Sequence, residues 1–208
     1  MTQTILTFGD SNTHGTPPMT SRDHHPRLVR RWPVVMAENI DCNLIEDGLG
    51  GRTACAQPVG SVEPYLDGPL GLHMALRAHG PIDWLTIMLG TNDLQTRHGN
   101  TADAVAASLS NLMSIAHNAE IQDRHNGFRT LLISPPPVLD EGAFAPEFMD
   151  APRKSVELPS RVAHLADRWG CAYLDAGALI ASDPRDGVHF NEAAHETLGR
   201  AVAKMLSA

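Results

Sequence analysis

The sequence has few cysteines, and their spacing is not that of a disulfide framework or a zinc ribbon. Only three occur in 208 residues, Cys42, Cys55 and Cys171, and none of them form a Cys-x-x-Cys pair. Small disulfide-stapled proteins carry an even and denser set, and zinc ribbons need closely spaced pairs. We therefore expect neither framework, and we predict the cytoplasm as the compartment.

The sequence also lacks a long apolar run and an excess of positive charge. No segment approaches the roughly 20 apolar residues that cross a bilayer, and the first residues predict no secretory leader. With 16 Lys and Arg against 24 Asp and Glu, the formal charge is −8. Because an acidic surface repels phosphate backbones, we expect neither a membrane nor a nucleic acid as partner.

Length and composition indicate one globular domain over residues 1–208. Of these residues 42% are apolar, and a chain of this size buries roughly 70% of its unfolded surface. Two stretches, at about 54–81 and 134–159, are rich in proline and are expected to be long inserted loops. Irregular connections beyond about 12–15 residues are uncommon and usually serve as lids or binding loops, although surface decoration is the alternative.

Short apolar runs bounded by Gly, Asp, Pro or Ser predict five buried strands, at residues 5–8, 43–46, 83–89, 130–134 and 171–174. Helical periodicity between them predicts one helix with Pro33 in its first turn and another after Thr101. Two more are expected, one capped by Ser160 and ending at Gly170, the other capped by Asn191. This alternation predicts an α/β fold with a five-stranded parallel sheet that binds ligands at the carboxyl ends of its strands.

Polar loops follow four of the predicted strands. Three of them, at residues 8–15, 47–53 and 89–94, come after the first three strands, and each contains glycine. A fourth polar cluster, at residues 183–190, follows the fifth strand and supplies a carboxylate and an imidazole. Because parallel strands end at one edge of the sheet, we expect these loops to form one pocket.

Ser11 is the candidate nucleophile of this pocket, since it follows a Gly-Asp turn at the end of a buried strand. In isolation, Asp10 or Ser11 could equally be the cap of the next helix. A serine hydroxyl needs a base to remove its proton, and an imidazole serves best when a carboxylate fixes its tautomer. Asp186 and His189, three residues apart before the last predicted helix, fit these two roles.

The base has to be chosen among eleven histidines. His14 is the main competitor of His189, but it lacks the Asp-x-x-His partner and is expected to line the pocket. A metal site of His14 with Asp23, His24 and His25 matches no zinc spacing, and we predict no metal and no cofactor. The remaining histidines are expected to be solvated structural residues: His73, His79, His98, His117, His125, His164 and His195.

Acyl transfer also requires donors that stabilise the developing oxyanion, and the loss of one such donor costs about 2.7–4 kcal/mol. Three donors are available in the predicted loops: the backbone N–H groups of Ser11 and Gly51 and the side-chain amide of Asn92. Taken alone, Asn92 could equally form an Asx-turn at the end of its strand.

Four motifs, in this order over nearly the whole chain, resemble the sequence blocks of the SGNH (GDSL) hydrolases. They are residues 9–12 (Gly-Asp-Ser-Asn), 50–53 (Gly-Gly-Arg-Thr), 90–93 (Gly-Thr-Asn-Asp) and 186–189 (Asp-Gly-Val-His). The resemblance implies a flavodoxin-like three-layer α/β/α sandwich and a serine esterase. It implies the catalytic residues Ser11, Asp186 and His189 and an oxyanion hole formed by Ser11, Gly51 and Asn92.

Residues 47–53, 87–93 and 132–137 further resemble the bacterial arylesterase and acyltransferase branch. This resemblance implies hydrolysis of short-chain acyl esters through an acyl-enzyme, acyl transfer to alcohols or peroxide, and a homo-oligomer. Acetylated carbohydrates such as acetylxylan, thioesters and lysophospholipids remain alternative substrates. A flavodoxin-like module that binds a flavin or a phosphate is the non-enzymatic alternative.

Two positions depart from the pattern of the family, because Asn12 replaces the usual Leu and His14 replaces a frequent aromatic residue. Both are expected to line the substrate pocket beside Ser11, together with Leu94, Phe144, Phe148 and Phe190. Packing in the core is the alternative role of the apolar ones. Trp32 and the two inserted loops are the expected contact surface of an oligomer, although the loops could instead cover the pocket of their own protomer.

Overall fold

A computed structural model describes residues 2–20 and 26–207 of the chain. Within them five parallel strands form one sheet in the order β2-β1-β3-β4-β5. The strands are β1 Thr4–Gly9, β2 Asn43–Gly48, β3 Trp84–Met88, β4 Arg129–Ser134 and β5 Ala172–Asp175. In the register, Gly9 lies opposite both Gly48 and Met88, so β1, β2 and β3 end at the same level. The predicted strands and the parallel sheet are confirmed.

Helices cover both faces of the sheet, which confirms the three-layer α/β/α sandwich. The α-helices of the described residues are α1 Ser11–His14, α2 Trp32–Ile40, α3 Gly68–Ala78, α4 Ala102–Ala116, α5 Ala119–Arg124, α6 Ala151–Ser155, α7 Leu158–Trp169 and α8 Glu192–Leu206. Short 3₁₀ helices occur at Pro64–Leu66, Asn92–Leu94, Ala145–Glu147 and Ala176–Ala178. No helix in this part of the chain has the length and apolarity to cross a membrane.

Alternate residues of the strands pack against different helices. Leu6 and Phe8 of β1 lie in the cluster that contains buried residues of α3, α4 and α7, whereas Ile5 lies in the cluster of α2 and α8. All three side chains are fully buried, and each stabilises the fold by about 1.5–3 kcal/mol relative to an exposed position. The sheet is therefore a rigid base for the loops at its carboxyl edge.

Side chains cap two of the predicted helices, and the cap at Asn191 is the one that was predicted. The Thr101 Oγ1 atom accepts a hydrogen bond from the N–H of Ala104 at 3.2 Å and caps α4. The Asn191 Oδ1 atom accepts from the N–H of Ala194 at 3.0 Å and caps α8. Pro33 lies in the first turn of α2, where its missing N–H costs no helical hydrogen bond.

The prediction that Ser160 caps α7 is wrong, whereas the end of this helix is confirmed. The helix begins at Leu158 because Pro159 fits its first turn, and Ser160 lies inside it and donates to the Glu157 carbonyl at 3.0 Å. Gly170 ends the helix with a φ of 61°, a left-handed conformation that glycine adopts without strain.

The two predicted inserted loops contain more regular structure than expected. The first, residues 54–81, includes α3, whose cap Asp67 accepts from the N–H of Leu70 at 2.7 Å. Pro69 belongs to the first turn of this helix rather than to a loop. The second, residues 134–159, includes the 3₁₀ helix at 145–147, α6 and the start of α7. Some of the prolines that suggested loops therefore lie in the first turns of helices.

Two histidines that were expected to be solvated are buried because their rings bind backbone groups. Imidazole Nδ1 of His125 accepts from the N–H of Ile82 at 3.2 Å, and that of His195 accepts from the N–H of Trp32 at 3.2 Å. Trp32 itself is fully buried beneath α8, so it is not part of any surface between copies of the chain. The expected exposure is confirmed for His73, His79 and His164, while His98 and His117 are half-buried.

Candidate active site

Ser11 lies at the carboxyl end of β1, in the first turn of α1. The Asp10 carboxylate caps this helix by accepting from the N–H of Asn12 at 2.9 Å, and burial raises the pKa of Asp10 to about 6. A Cβ atom at Gly9 would lie 2.1 Å from Thr13 Oγ1, so only glycine allows the turn to close this tightly. The turn holds the Ser11 hydroxyl at the mouth of the sheet with 8% of the residue exposed.

The structure brings together the three residues that were predicted to form a triad. His189 Nε2 lies 2.9 Å from Ser11 Oγ, and His189 Nδ1 lies 2.8 Å from Asp186 Oδ2. His189 and Asp186 are both buried, and the imidazole therefore contacts the serine and the carboxylate through different nitrogen atoms. In this arrangement the carboxylate favours the tautomer whose Nε2 can accept a proton.

Backbone groups fix the Asp186 carboxylate in addition to the imidazole. The Oδ1 atom accepts from the N–H groups of Val188 and His189, each at 2.9 Å, and Oδ2 accepts from the N–H of Met19 at 2.9 Å. Burial opposes ionisation of Asp186, but the bonds from His189 and these N–H groups outweigh it and lower the pKa of Asp186. The carboxylate thus remains charged and oriented.

Residues 139–149, here called the 139–149 loop, connect the triad to the neighbouring loop. The N–H of Leu139 donates to the carbonyl of Gly187 at 2.9 Å, and on the other side the N–H of Thr96 donates to the carbonyl of Glu147 at 2.8 Å. Phe144 of this loop lies edge-on to the His189 ring, with centroids 5.7 Å apart. The position of the imidazole therefore depends on the 139–149 loop.

The predicted oxyanion donors lie in the same cleft as Ser11 and His189. In residues 2–20 and 26–207, no acceptor bonds the backbone N–H of Ser11 or of Gly51. Gly51 has a φ of 82°, which disfavours any other residue. Asn92 Nδ2 donates to the carbonyl of Arg52 at 3.1 Å and retains a second hydrogen for a ligand.

Two charged residues hold the loop that carries Gly51, and the sequence analysis assigned no role to either. The Arg52 guanidinium is buried and donates to the carbonyl of Gly9 at 3.0 Å and to Asp47 Oδ1 at 2.7 Å. The Asp93 carboxylate accepts from the N–H of Ala54 at 2.8 Å and of the next residue at 2.9 Å. The sequence did offer a signal for these structural roles, because Arg52 and Asp93 are charged residues within glycine-containing motifs.

The cleft has a volume of about 550 Å³. Of the predicted pocket residues, Phe144 and Phe148 line it, and Leu66 from the first inserted segment adds to the apolar wall. The sequence analysis missed Leu66 because it could not show which loop crosses the cleft. It also missed polar residues that line the cleft, among them Glu63, Tyr65, Gln95 and Arg97.

Four of the predicted pocket residues do not line the cleft. Leu94 and Phe190 are buried on opposite sides of the sheet, in the clusters with α4 and α8. The amide of Asn12 is turned away and donates to the carbonyl of Val188 at 3.2 Å. His14 lies at the end of α1 against β2, where a side chain at Gly48 would meet its backbone.

No group of three His, Cys, Asp or Glu side chains within the described part of the chain could hold a metal ion. The alternative metal site included Asp23, His24 and His25, which lie outside the described residues. It therefore stays untested. The residues that converge on the cleft are those of acyl chemistry: a hydroxyl, an imidazole, a carboxylate and hydrogen-bond donors.

Comparison with known proteins agrees with the fold and with this chemistry. The model of the GDSL-like lipase/acylhydrolase family matches residues 7–197. The native aryl esterase of M. smegmatis is 32% identical, with a TM-score of 0.91, and the match covers 99% of this chain and 98% of that one. A putative arylesterase from Agrobacterium tumefaciens is also 32% identical, with a TM-score of 0.88 and the same coverage.

Est24, a carbohydrate acetylesterase from Sinorhizobium meliloti, is 29% identical, with a TM-score of 0.90 over 99% of this chain and 98% of that one. No curated protein sequence matches the chain significantly. The family match over most of the chain and the esterase neighbours agree with the SGNH resemblance and favour an enzyme over the flavodoxin-like binding module. The chain belongs to the GDSL-like lipase/acylhydrolase family and is a serine carboxylic ester hydrolase.

Proposed function

We propose that Ser11 is the nucleophile of this esterase, His189 its general base and acid, and Asp186 the residue that orients His189. The continuous hydrogen-bonded series from Ser11 Oγ through the imidazole to Asp186 Oδ2 is the observation that carries this proposal. As Ser11 Oγ bonds to the ester carbonyl carbon, its proton passes to His189 Nε2. His189 then gives this proton to the leaving alcohol as the C–O bond breaks.

Water completes the reaction by the same steps in the acyl-enzyme. His189 removes a proton from the water as its oxygen attacks the acyl carbon, and the proton passes to Ser11 Oγ as the carboxylic acid is released. In both steps negative charge develops on the carbonyl oxygen. The N–H groups of Ser11 and Gly51 and the amide of Asn92 stabilise it, since they are donors in the same cleft and retain hydrogens for this purpose.

The acyl group occupies the apolar part of the cleft, beside Leu66, Phe144 and Phe148. Phe148 is buried in this wall, and its ring occupies space on that side of the cleft. This supports short-chain acyl esters as the substrates. Lysophospholipids are the least favoured alternative, because polar residues such as Glu63, Thr96 and Arg97 line the cleft together with this apolar wall.

The leaving group faces the polar opening of the cleft. The likeness to aryl esterases supports a phenolic or simple alcohol. A second candidate is an acetylated carbohydrate, supported by the likeness to Est24 and by the polar side chains of Glu63, Tyr65 and Arg97 at the opening. Acyl transfer to an alcohol instead of water would use the same acyl-enzyme.

We also propose a homo-oligomer of a single-domain chain in the cytoplasm, whose copies meet at the first inserted segment. Val59, Val62 and Met74 of this segment are largely exposed, although isolated exposed apolar residues are ordinary. Light scattering at micromolar concentration measures the mass. A monomer would contradict the oligomer and leave the esterase assignment unaffected.

The proposed nucleophile is tested with p-nitrophenyl acetate and butyrate. Wild type and Ser114→Ala, which changes an exposed serine of α4, should hydrolyse both esters and gain one adduct from an organophosphonate fluoride in intact mass spectra. Ser11→Ala should do neither. An adduct on Ser11→Ala, or turnover equal to that of wild type, would refute the role of Ser11.

A further inference from the structure

An asparagine side chain serves an oxyanion hole only in one of its two amide orientations. Its Nδ2 atom donates hydrogen bonds, whereas its Oδ1 atom accepts them and would repel an oxyanion. The two orientations have nearly the same shape, so neighbouring groups must select one. For Asn92, two neighbours within the described residues bond the amide, one on each side.

The backbone carbonyl of Arg52 is the fixed reference, because a carbonyl oxygen only accepts. Asn92 Nδ2 lies 3.1 Å from this oxygen, which places Asn92 Oδ1 on the other side of the amide. There it lies 3.1 Å from Gln95 Nε2, which donates to it. A flipped Asn92 amide would bring two oxygens together at Arg52 and would lose the bond that Gln95 Nε2 now donates.

The local backbone explains why Gln95 reaches this position. Asn92 starts a 3₁₀ turn, and the N–H of Gln95 donates to the Asn92 carbonyl at 3.2 Å. Side chains three residues apart eclipse each other in a 3₁₀ helix, so the two amides lie side by side. Gln95 is 9% exposed and Asn92 6%, and both line the cleft, so water competes weakly for the hydrogen bond between their side chains.

We propose that Gln95 is a positioning residue of the oxyanion hole. Gln95 holds Asn92 Oδ1, and the free Nδ2 hydrogen of Asn92 thereby faces the carbonyl oxygen of the substrate. This inference rests on the proposed role of Asn92. It assigns a role to a residue outside the four sequence motifs. The effect concerns the transition state, because full charge on the oxygen is present only there.

Two variants remove the donor without removing the bulk. Gln95→Met keeps the chain length but leaves Asn92 Oδ1 unpaired, and Gln95→Glu offers an acceptor that attracts Asn92 Nδ2 away from the substrate. Loss of a whole donor lowers kcat about 10²- to 10³-fold. We expect part of this loss, about tenfold for Gln95→Met and more for Gln95→Glu, with KM changed less than about threefold.

The decisive experiment is a double-mutant cycle with Asn92→Ala on p-nitrophenyl acetate. If Gln95 acts through Asn92, Gln95→Met should change kcat less than about twofold in the Asn92→Ala background. An equal loss in both backgrounds, or a loss in KM alone, would overturn the inference. Thermal melting of each variant shows that it is folded, and Gln95→Leu replaces any variant that is not.

The same cycle separates this inference from the proposed function. If Asn92→Ala leaves kcat unchanged, Asn92 is not an oxyanion donor, and its proposed role fails together with the inference, whereas the proposed roles of Ser11, His189 and Asp186 are tested by their own variants. If Asn92→Ala lowers kcat but Gln95→Met does not, only the role of Gln95 is refuted.

Discussion

Replacing His195 with asparagine should make the protein more resistant to unfolding at acidic pH. His195 Nδ1 accepts a hydrogen bond from the N–H of Trp32 at the start of α2, so the ring must be neutral in the folded state. Asparagine offers an acceptor at the same position through Oδ1 and does not bind a proton. The variant therefore keeps the hydrogen bond from Trp32 but has no group at this position that binds a proton.

The expected magnitude follows from the pKa of the buried ring. Burial, with smaller contributions from the charges of His189 and Arg31, lowers the pKa of His195 from 6.5 to about 4. Between these values the unfolded chain binds a proton that the folded protein does not, so stability falls as the pH falls. At about 1.4 kcal/mol per pH unit, wild type loses about 3 kcal/mol by pH 4 relative to the variant.

Urea unfolding of both proteins between pH 7 and pH 4 measures this difference. The two proteins must be compared because Asp10, whose pKa burial raises to about 6, titrates in the same pH range and makes both more stable as the pH falls. This contribution cancels in the difference between wild type and variant. His164→Asn, which changes an exposed histidine of α7, is the control for the substitution itself. Parallel curves for wild type and His195→Asn would refute the reasoning.

Three further predictions concern the site. Asp186→Asn should lower kcat about 10⁴-fold with little change in KM, because an amide at this position favours the wrong tautomer of the imidazole; equal kcat values would contradict the role of Asp186. Gly142→Ala should lower both the melting temperature and the turnover, since the new Cβ would lie 2.5 Å from the backbone of Asp186. The control is Gly99→Ala, whose Cβ meets nothing within 4 Å. It bears only the strain of a positive φ, of order 1–3 kcal/mol. Phe148→Ala should raise kcat/KM for p-nitrophenyl hexanoate relative to acetate, and Phe128→Ala, a buried phenylalanine outside the cleft, should leave this ratio unchanged.

The sequence predicted the sheet well because its central strands β1, β3 and β4 are largely buried and read as continuous apolar runs. The edge strands β2 and β5 are half-buried and carry short apolar runs of the same kind. It predicted the positions of Ser11, Asp186 and His189 near one another because each follows a strand at the same edge of the sheet. It predicted the lining of the cleft poorly. Phe190 directly follows His189, and adjacent side chains point in different directions, so an imidazole in the cleft already implied a phenylalanine in the core.

Two kinds of features were beyond reach of local patterns. The first is the burial of His125 and His195, which depends on backbone N–H groups that lie 43 and 163 residues away in the sequence. The second is the helical content of residues 54–81, since proline marks both loops and first turns of helices. Tertiary contacts decide both, and composition does not report them.

The hydrogen bond between Ser11 and His189 joins residues that are 178 positions apart. Loop closure over so long a chain is unfavourable until packing compensates for it, so we expect this contact to form after the intervening strands and helices have ordered. α8, which directly follows His189, packs against α2, near the other end of the chain. Recovery of ester hydrolysis during refolding should therefore coincide with the last step of assembly, and turnover itself becomes a measure of how much of the population has reached the native state.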